Sequence, residues 1–599
     1  KMTLSRFSFI LFLKKIISSI QDFFVRYGWL IVIYTIVQFL PEFRYKPYEV
    51  SKWLWSSVPL YFINACCICL IGELIKKAGG RLWGKTFCKW WHALCHICIY
   101  SFSFIEFYLV NAFHLRINDL SIMLLLQTNK SEASEFLQTY LFGKAFFISL
   151  AVLAVIGVLE WLLLKYRYRL NIFRNYVVTA ILAIFFCLGL HSSYLATKMI
   201  FADNSIKALS IVRNNRWDLS ENFYVRVYYS LWATRDNIES GKEIVHHIND
   251  TRVLSKTQYN GNIVLIIGES HSKIHTSLYG YHKPTYPYLE NMRDSLSIFT
   301  DVISPNNATH IVFREILSVS SMDDGSNWYD ATLFPAVFSS AGWNVALCSN
   351  QITDKRSMDV FDSAIEFVLN KDEVSNACFT TRNSSTFKYD SQMLDSLLAT
   401  KAQNIDLAKP SLYIVHLMGQ HFKCGERFPP EHAFFKTSDY ADREELSGRQ
   451  KQDVADCDNA CRENDLQLYR IFQAFAGEDA IVIYMSDHGD EAHDYCDHIG
   501  RNYDLAGYAP MSYHCQIDVP FIVYMTETYK RNHPEKAEQV RASVNRPFMI
   551  DDICHLLFYL GDVDTKWFDP RRCLIHPEFN TKRKRILKTG EDYDEAVKK

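Results

Sequence analysis

The sequence predicts two architectures in one chain: an N-terminal bundle of five membrane-spanning helices, and a C-terminal α/β domain whose mainly parallel sheet is covered by helices. Three observations predict them. The apolar residues of the 599-residue chain gather into long runs within its first third. Beyond that third, short apolar strand-like runs alternate with helical stretches. One such run, 263–267, passes directly into Gly268 and Glu269. It sets a carboxylate at the end of a buried parallel strand, where open α/β sheets bind their ligands.

The candidate spans are 27–40, 53–75, 90–115, 145–164 and 175–193, most of them near the roughly 20 residues that cross a bilayer. Basic residues crowd the N-terminal segment and the loops after the second and fourth spans, so the N-terminus is expected in the cytoplasm and everything after about Ser193 outside it. No small-residue cleavage site follows the first span, which reads as a retained signal anchor. The stretch 116–144 is too polar to span and reads as an amphipathic helix on the outer membrane surface, or as a plain connector. Glu106, inside the third span, is costly in lipid and must be paired within the bundle or functional.

The chain therefore divides into a transmembrane domain (1–193, with the surface helix near 116–144), an amphipathic linker (194–260), a catalytic α/β domain (261–580) and a charged, solvated tail (581–599). In the linker, NNRWDLSENFYVRVYYSLW suggests another interfacial helix. The strand-like runs are 262–267, 298–303, 343–348, 411–417, 480–485 and 519–525, without internal repeat. A net charge of −2 argues against nucleic acid as a partner, because phosphate-backbone binders carry concentrated basic surface. Of 16 cysteines, seven lie in the membrane part as packing residues, and nine lie beyond it in an oxidising compartment where disulfides are permitted. Cys457 and Cys461 stand one helical turn apart, close enough to pair.

Two further strand ends supply what Glu269 lacks. The run 481–485 leads into SDHGD, presenting Asp487 and His488. Two carboxylates and an imidazole make a three-ligand set suited to zinc with a fourth position open for chemistry; a lone Asp-His pair is more often a hydrogen-bonded turn. In SPNNATHIVFREIL, Thr309 precedes a helical run. A hydroxyl there faces backbone donors that suit a phosphate; the plainer alternative is that Thr309 or Asn307 is only an N-cap.

Taken in order, GES with LYGY, a threonine about forty residues on, a lysine after the next strand, MGQH, and SDHGD with a later His-x-Gly resemble the membrane phosphoethanolamine transferases. These belong to the alkaline phosphatase and sulfatase superfamily and include the lipid A modifying enzymes that confer polymyxin resistance. The resemblance implies zinc held by Glu269, Thr309, Asp487 and His488, with Thr309 as nucleophile, and allows a second zinc. Lys355, His421 and His498 match the family's substrate-phosphate or second-zinc residues, and Thr128 and Glu132 its polar donor-binding positions, with Leu124 where an asparagine is expected. The cysteine pair that flanks the nucleophile in lipid A enzymes is absent, with Pro305 and Glu315 near those places, so the chain looks closer to branches acting on lipopolysaccharide core or glucans. Asp490 and His493 are extra ligands or, more plainly, solvated loop residues.

The reaction so implied moves phosphoethanolamine from phosphatidylethanolamine to lipid A, lipopolysaccharide core or a glucan, in the bacterial inner membrane with the catalytic domain in the periplasm. A phosphoglycerol transferase or phosphodiesterase would use the same site. A sulfatase would need a C/S-x-P-x-R context where this chain reads ATHIVFR. A membrane sensor with a degenerate enzyme fold is the non-enzymatic alternative.

Overall fold

The computed structural model describes residues 2–45, 50–113, 116–118, 121–122, 143–166, 172–202, 205–213, 218–254, 259–352, 363–401, 406–421, 423–495, 499–501 and 511–598. The chain forms two compact units, Lys1–Thr234 and Arg235–Lys599.

Among the described residues of the first unit, five helices are long and apolar enough to cross a membrane: Lys14–Tyr45, Trp53–Ala78, Trp83–Ala112, Lys144–Tyr166 and Tyr176–Ile200. All are longer than the apolar runs that predicted them, because polar residues at their ends continue the helix. The first is part of one helix, Met2–Tyr45, so the apolar patch at 9–13 and the short span at 27–40 are one element. Tyr34, Val37, Phe62, Cys69 and Phe173 form the buried centre of the bundle. Glu106 is paired: its Oε2 accepts from Arg116 Nε at 3.1 Å and Arg226 Nη2 at 2.5 Å, and its Oε1 from the Ile117 N–H at 2.8 Å. A carboxylate among apolar helices needs such partners to stay charged. Most of the 116–144 stretch, including Leu124, Thr128 and Glu132, lies outside the described residues. The helix expected in the linker is Phe223–His247.

Among its described residues the second unit has eleven strands. They are β1 (Asn262–Gly268), β2 (Leu296–Phe299), β3 (Val302–Ile303), β4 (Asn344–Ser349), β5 (Thr381–Arg382), β6 (Ser411–His416), β7 (Ala480–Ser486), β8 (Glu491–Ala492), β9 (Ile499–Gly500), β10 (Phe521–Met525) and β11 (Phe548–Met549). Seven form the main sheet in the order β2-β10-β7-β1-β6-β4-β5. Strands β7, β1, β6, β4 and β5 run parallel, and β10 and β2 join antiparallel at one edge. The central strands are apolar throughout because helices cover both faces; every residue of 263–267 and 480–485 is buried.

Sequence and structure differ in three places. The run 298–303 is not one strand: it breaks at Thr300, whose N–H donates to Val544 O, so β2 edges the main sheet while β3 pairs with β11 in a separate ladder. The tail from 581 is not solvated. Leu587 and Tyr593 pack with Ile303, Tyr513, Ile517 and Met549, while Arg583 pairs with Asp551 and Asp552 and Arg585 with Asp301. Its charges looked solvated in sequence because their acidic partners lie elsewhere in the chain. Finally, Cys457 faces Cys424, with 2.6 Å between the Sγ atoms, rather than Cys461.

Candidate active site

Four adjacent parallel strands end at one place. From β1 comes Glu269, from β7 the pair Asp487 and His488, from β6 the turn Met418–His421 and from β4 Gln351, each just past a strand's carboxyl end. The helix Thr309–Leu317 begins at the same place. Its cap residue is Ala308, which has no polar side chain, and the Asn307 Nδ2 donates to Gln516 Oε1 at 2.9 Å. The plain capping alternative therefore fails, and the Thr309 hydroxyl is left to other use. It lies 2.9 Å from Glu269 Oε2, 3.1 Å from Oε1 and 3.2 Å from His488 Nε2.

Glu269, Asp487 and His488 are all fully buried, and their ligand atoms lie within 4.8 Å of one another. His488 Nδ1–H donates to Gly489 O at 2.9 Å, which turns Nε2 toward the carboxylates and Thr309. Asp487 Oδ1 accepts from the Ser270 N–H at 3.1 Å and the His488 N–H at 2.7 Å, while its buried Oδ2 has no hydrogen-bond partner among the described residues. Burial and then the neighbouring Glu269 carboxylate push the Asp487 carboxyl up to about 8. Burial opposes ionisation of Glu269 too, but the hydrogen bond and charge of His488 outweigh it and hold Glu269 well below the usual carboxylate range. Two buried carboxylates this close repel each other when both are ionised, and a cation or a proton between them relieves the repulsion. The partnerless Oδ2, the directed imidazole and the two carboxylates fit a zinc ion.

Around this set stand residues that motif spacing did not reveal. Gln351 Nε2 donates to Glu269 Oε2 at 3.1 Å and to Leu417 O at 2.9 Å, and lies 3.0 Å from His416 Nε2. Arg501 Nη2 reaches Glu269 Oε1 at 3.4 Å, with its Nε 3.7 Å from Asp490 Oδ1. Asp490 is thus part of the site's wall, 3.8 Å from His488 Nδ1, and not a solvated loop residue. His493 is also not solvated: it is buried, with its Nε2 3.4 Å from Asp453 Oδ2 of the long helix Gly448–Phe475. Neither belongs to the metal-ligand set. His421 sits close enough for its charge to act on Glu269. Lys355, His498, Thr128 and Glu132 lie outside the described residues.

The Sulfatase family model matches residues 261–555, which span the main sheet and all of these strand ends. Among characterised proteins, the chain is 26% identical over 501 residues to phosphoethanolamine transferase EptC of Escherichia coli, covering 81% of this chain and 80% of that one. It is 25% identical over 476 residues to phosphoethanolamine transferase CptA of Salmonella typhimurium, covering 76% and 77%. Over most of its length the chain is similar to phosphoethanolamine transferases. Among solved structures, the zinc complex of the C-terminal periplasmic domain of E. coli EptC is similar at a TM-score of 0.48 and 22% identity, covering 57% of this chain and 96% of that one.

One glycine lies against the strand end that carries Glu269. Gly419 has a φ of +50°, and a Cβ there would fall 2.8 Å from Glu269 O and 2.9 Å from Glu269 N. Asp390 braces the same turn, accepting from the Met418 and Gly419 N–H groups at 2.9 Å each. Gly419→Ala is expected to destabilise the second unit by about 1–3 kcal/mol, because a side chain in left-handed backbone is strained and this one also meets main chain. It should weaken zinc binding as well, since the clash displaces Glu269. Thermal melts with and without zinc check both effects.

Proposed function

We propose that this protein transfers phosphoethanolamine from phosphatidylethanolamine to an envelope glycolipid or glycan, lipid A, lipopolysaccharide core or a glucan, through a covalent adduct on Thr309. The observation that carries the reading is the placement of Thr309 Oγ1 within 3.2 Å of both Glu269 and His488 at the start of a helix. Glu269, Asp487 and His488 would hold the zinc, with Thr309 beside them. When bound, zinc lowers the pKa of a nearby hydroxyl and offsets charge on phosphoryl oxygens.

The chain's own residues do the rest. Thr309 Oγ1–H donates to Glu269 Oε2 at 2.9 Å, which fixes the rotamer and gives the proton its path away. Oγ1 attacks the donor phosphorus; the Oγ1–P bond forms and the bond from phosphorus to the diacylglycerol oxygen breaks. The N-terminal end of the Thr309–Leu317 helix favours the phosphoryl charge. His421, or His498, protonates the departing oxygen, and Lys355 pairs with the phosphoryl group. In the second half, an acceptor hydroxyl gives up its proton to the same histidine and attacks phosphorus, the Oγ1–P bond breaks, and Oγ1 takes back from Glu269 the proton it gave up. Thr128 and Glu132 hold the donor headgroup at the membrane.

The five apolar helices support a multi-pass protein whose donor never leaves the bilayer. On that reading the protein sits in the bacterial inner membrane, N-terminus inside, with domain limits 1–193, 194–260, 261–580 and 581–599 and the catalytic domain in the periplasm. The test is mass spectrometry of envelope lipids and glycans from cells with and without the gene. One phosphoethanolamine unit should appear on a glycolipid or glycan, with diacylglycerol formed in step. Addition of phosphoglycerol instead would reject phosphatidylethanolamine as donor.

A further inference from the structure

We propose that the first unit carries a phospholipid site of its own, in which a groove along the third apolar helix takes one acyl chain while a phosphate or ester oxygen of the same lipid accepts from Arg116. The inference needs neither zinc nor the transfer reaction. A cavity of about 270 Å³ is lined by Trp91, Leu94, Cys98 and Phe102 of that helix, with Pro41 from the first helix and Phe223. From Trp91 to Glu106 the helix rises about 22 Å at ~1.5 Å per residue, which exceeds the roughly 15 Å of hydrocarbon in one leaflet.

The occupant follows from where the groove faces and how it ends. Leu94 and Phe102 are 57% and 48% exposed, so these walls open outward and not into the core of the bundle. In a bilayer the only medium beside such a surface is hydrocarbon, and an unfilled apolar groove forfeits its dispersion contacts. One end of the groove is polar, reaching Gln38, Glu106 and Arg116. Arg116 is 3% exposed; its Nε donates to Glu106 Oε2 at 3.1 Å and its Nη1 to Glu221 Oε2 at 3.0 Å. Its Nη2 has no hydrogen-bond partner among the described residues, Glu42 Oε1 being 3.9 Å away. A buried guanidinium donor without an acceptor is costly, and phosphate and ester oxygens are the acceptors that a lipid carries at the level where its chains begin. An apolar groove longer than one leaflet, with a guanidinium N–H at its polar end that has no hydrogen-bond acceptor among the described residues, matches a glycerophospholipid from the surrounding leaflet.

The test uses the full chain in vesicles of phosphatidylethanolamine and phosphatidylglycerol, doped with a phosphatidylcholine that carries a diazirine in its acyl chain. Photolysis and peptide mapping should concentrate label on the helix face of Leu94, Cys98 and Phe102. Cys98→Trp fills the groove from a position that already faces outward, and so spares the packed core. It should lower that label several-fold while leaving label elsewhere unchanged. Arg116→Gln should lower the number of phospholipids that survive detergent extraction in native mass spectra. Label spread evenly over all five helices, or label at Leu94 and Phe102 unchanged by Cys98→Trp, would overturn the proposal.

Discussion

Thr309→Ala should abolish transfer, lowering turnover by about 10⁴-fold or more, because the hydroxyl that attacks phosphorus is gone. The fold should survive the change. Thr309 is the first residue of its helix and its hydroxyl caps no backbone group, so the loss falls on chemistry and not on stability. The hydroxyl's hydrogen-bond partners, Glu269 and His488, remain in place, and zinc content should hold at or near the parent level. Thr309→Ser should keep part of the activity: the oxygen remains, but loss of the methyl frees the rotamer that aims it. Turnover of a donor analogue, measured beside metal content and a melting curve, separates these outcomes. Normal turnover by Thr309→Ala would remove the nucleophile from the account.

Asp487→Ala should remove metal and activity together. The substitution deletes Oδ2, the buried atom without a hydrogen-bond partner, and also Oδ1, leaving the Ser270 and His488 N–H groups without their acceptor. Two ligands remain of three, below what a catalytic zinc site keeps. His421→Ala touches none of those atoms and should keep the metal while losing most of its turnover, because its proposed work is proton transfer, worth about 10²–10⁴-fold. Metal analysis of the purified variants decides the matter. Equal zinc in both would break the assignment of Asp487, and a relic with no enzymatic role would have no reason to hold zinc at all.

Much of the site was legible because of where the chain puts carboxylates. Glu269 and Asp487 each follow a run of apolar residues long enough to be a buried strand, and β1 and β7 are neighbours in the sheet. Glu269, Asp487 and His488 could be grouped in sequence because zinc-ligand residue types stand just past two predicted strands, and the adjacency of those strands brings them together. Thr309 was legible as a helix start but not as a hydroxyl turned inward, since nothing in SPNNATH says that Ala308 takes the cap position. Gln351 and Arg501 were hidden for another reason. Each reaches the site from a loop whose path depends on tertiary packing, and a glutamine after a strand carries no signal of its own. The long helix Gly448–Phe475 shows the same limit in the fold. Among its many polar residues Asp458, Asn459, Asn464 and Asp465 are buried, and Asp465 accepts from the Tyr288 and Leu289 N–H groups at 2.7 and 3.0 Å. Buried polar residues paired to loop backbone look like surface until the loops are placed.

The central claim is that the headgroup rests on Thr309 between donor and acceptor. Incubating the full chain with phosphatidylethanolamine and no acceptor, then digesting it and sequencing the peptides by mass spectrometry, tests this most directly. The account predicts a peptide carrying one phosphoethanolamine unit on Thr309, absent from Thr309→Ala and discharged when acceptor is added. An adduct on another residue, or full transfer with no protein adduct trapped at any time, would contradict it.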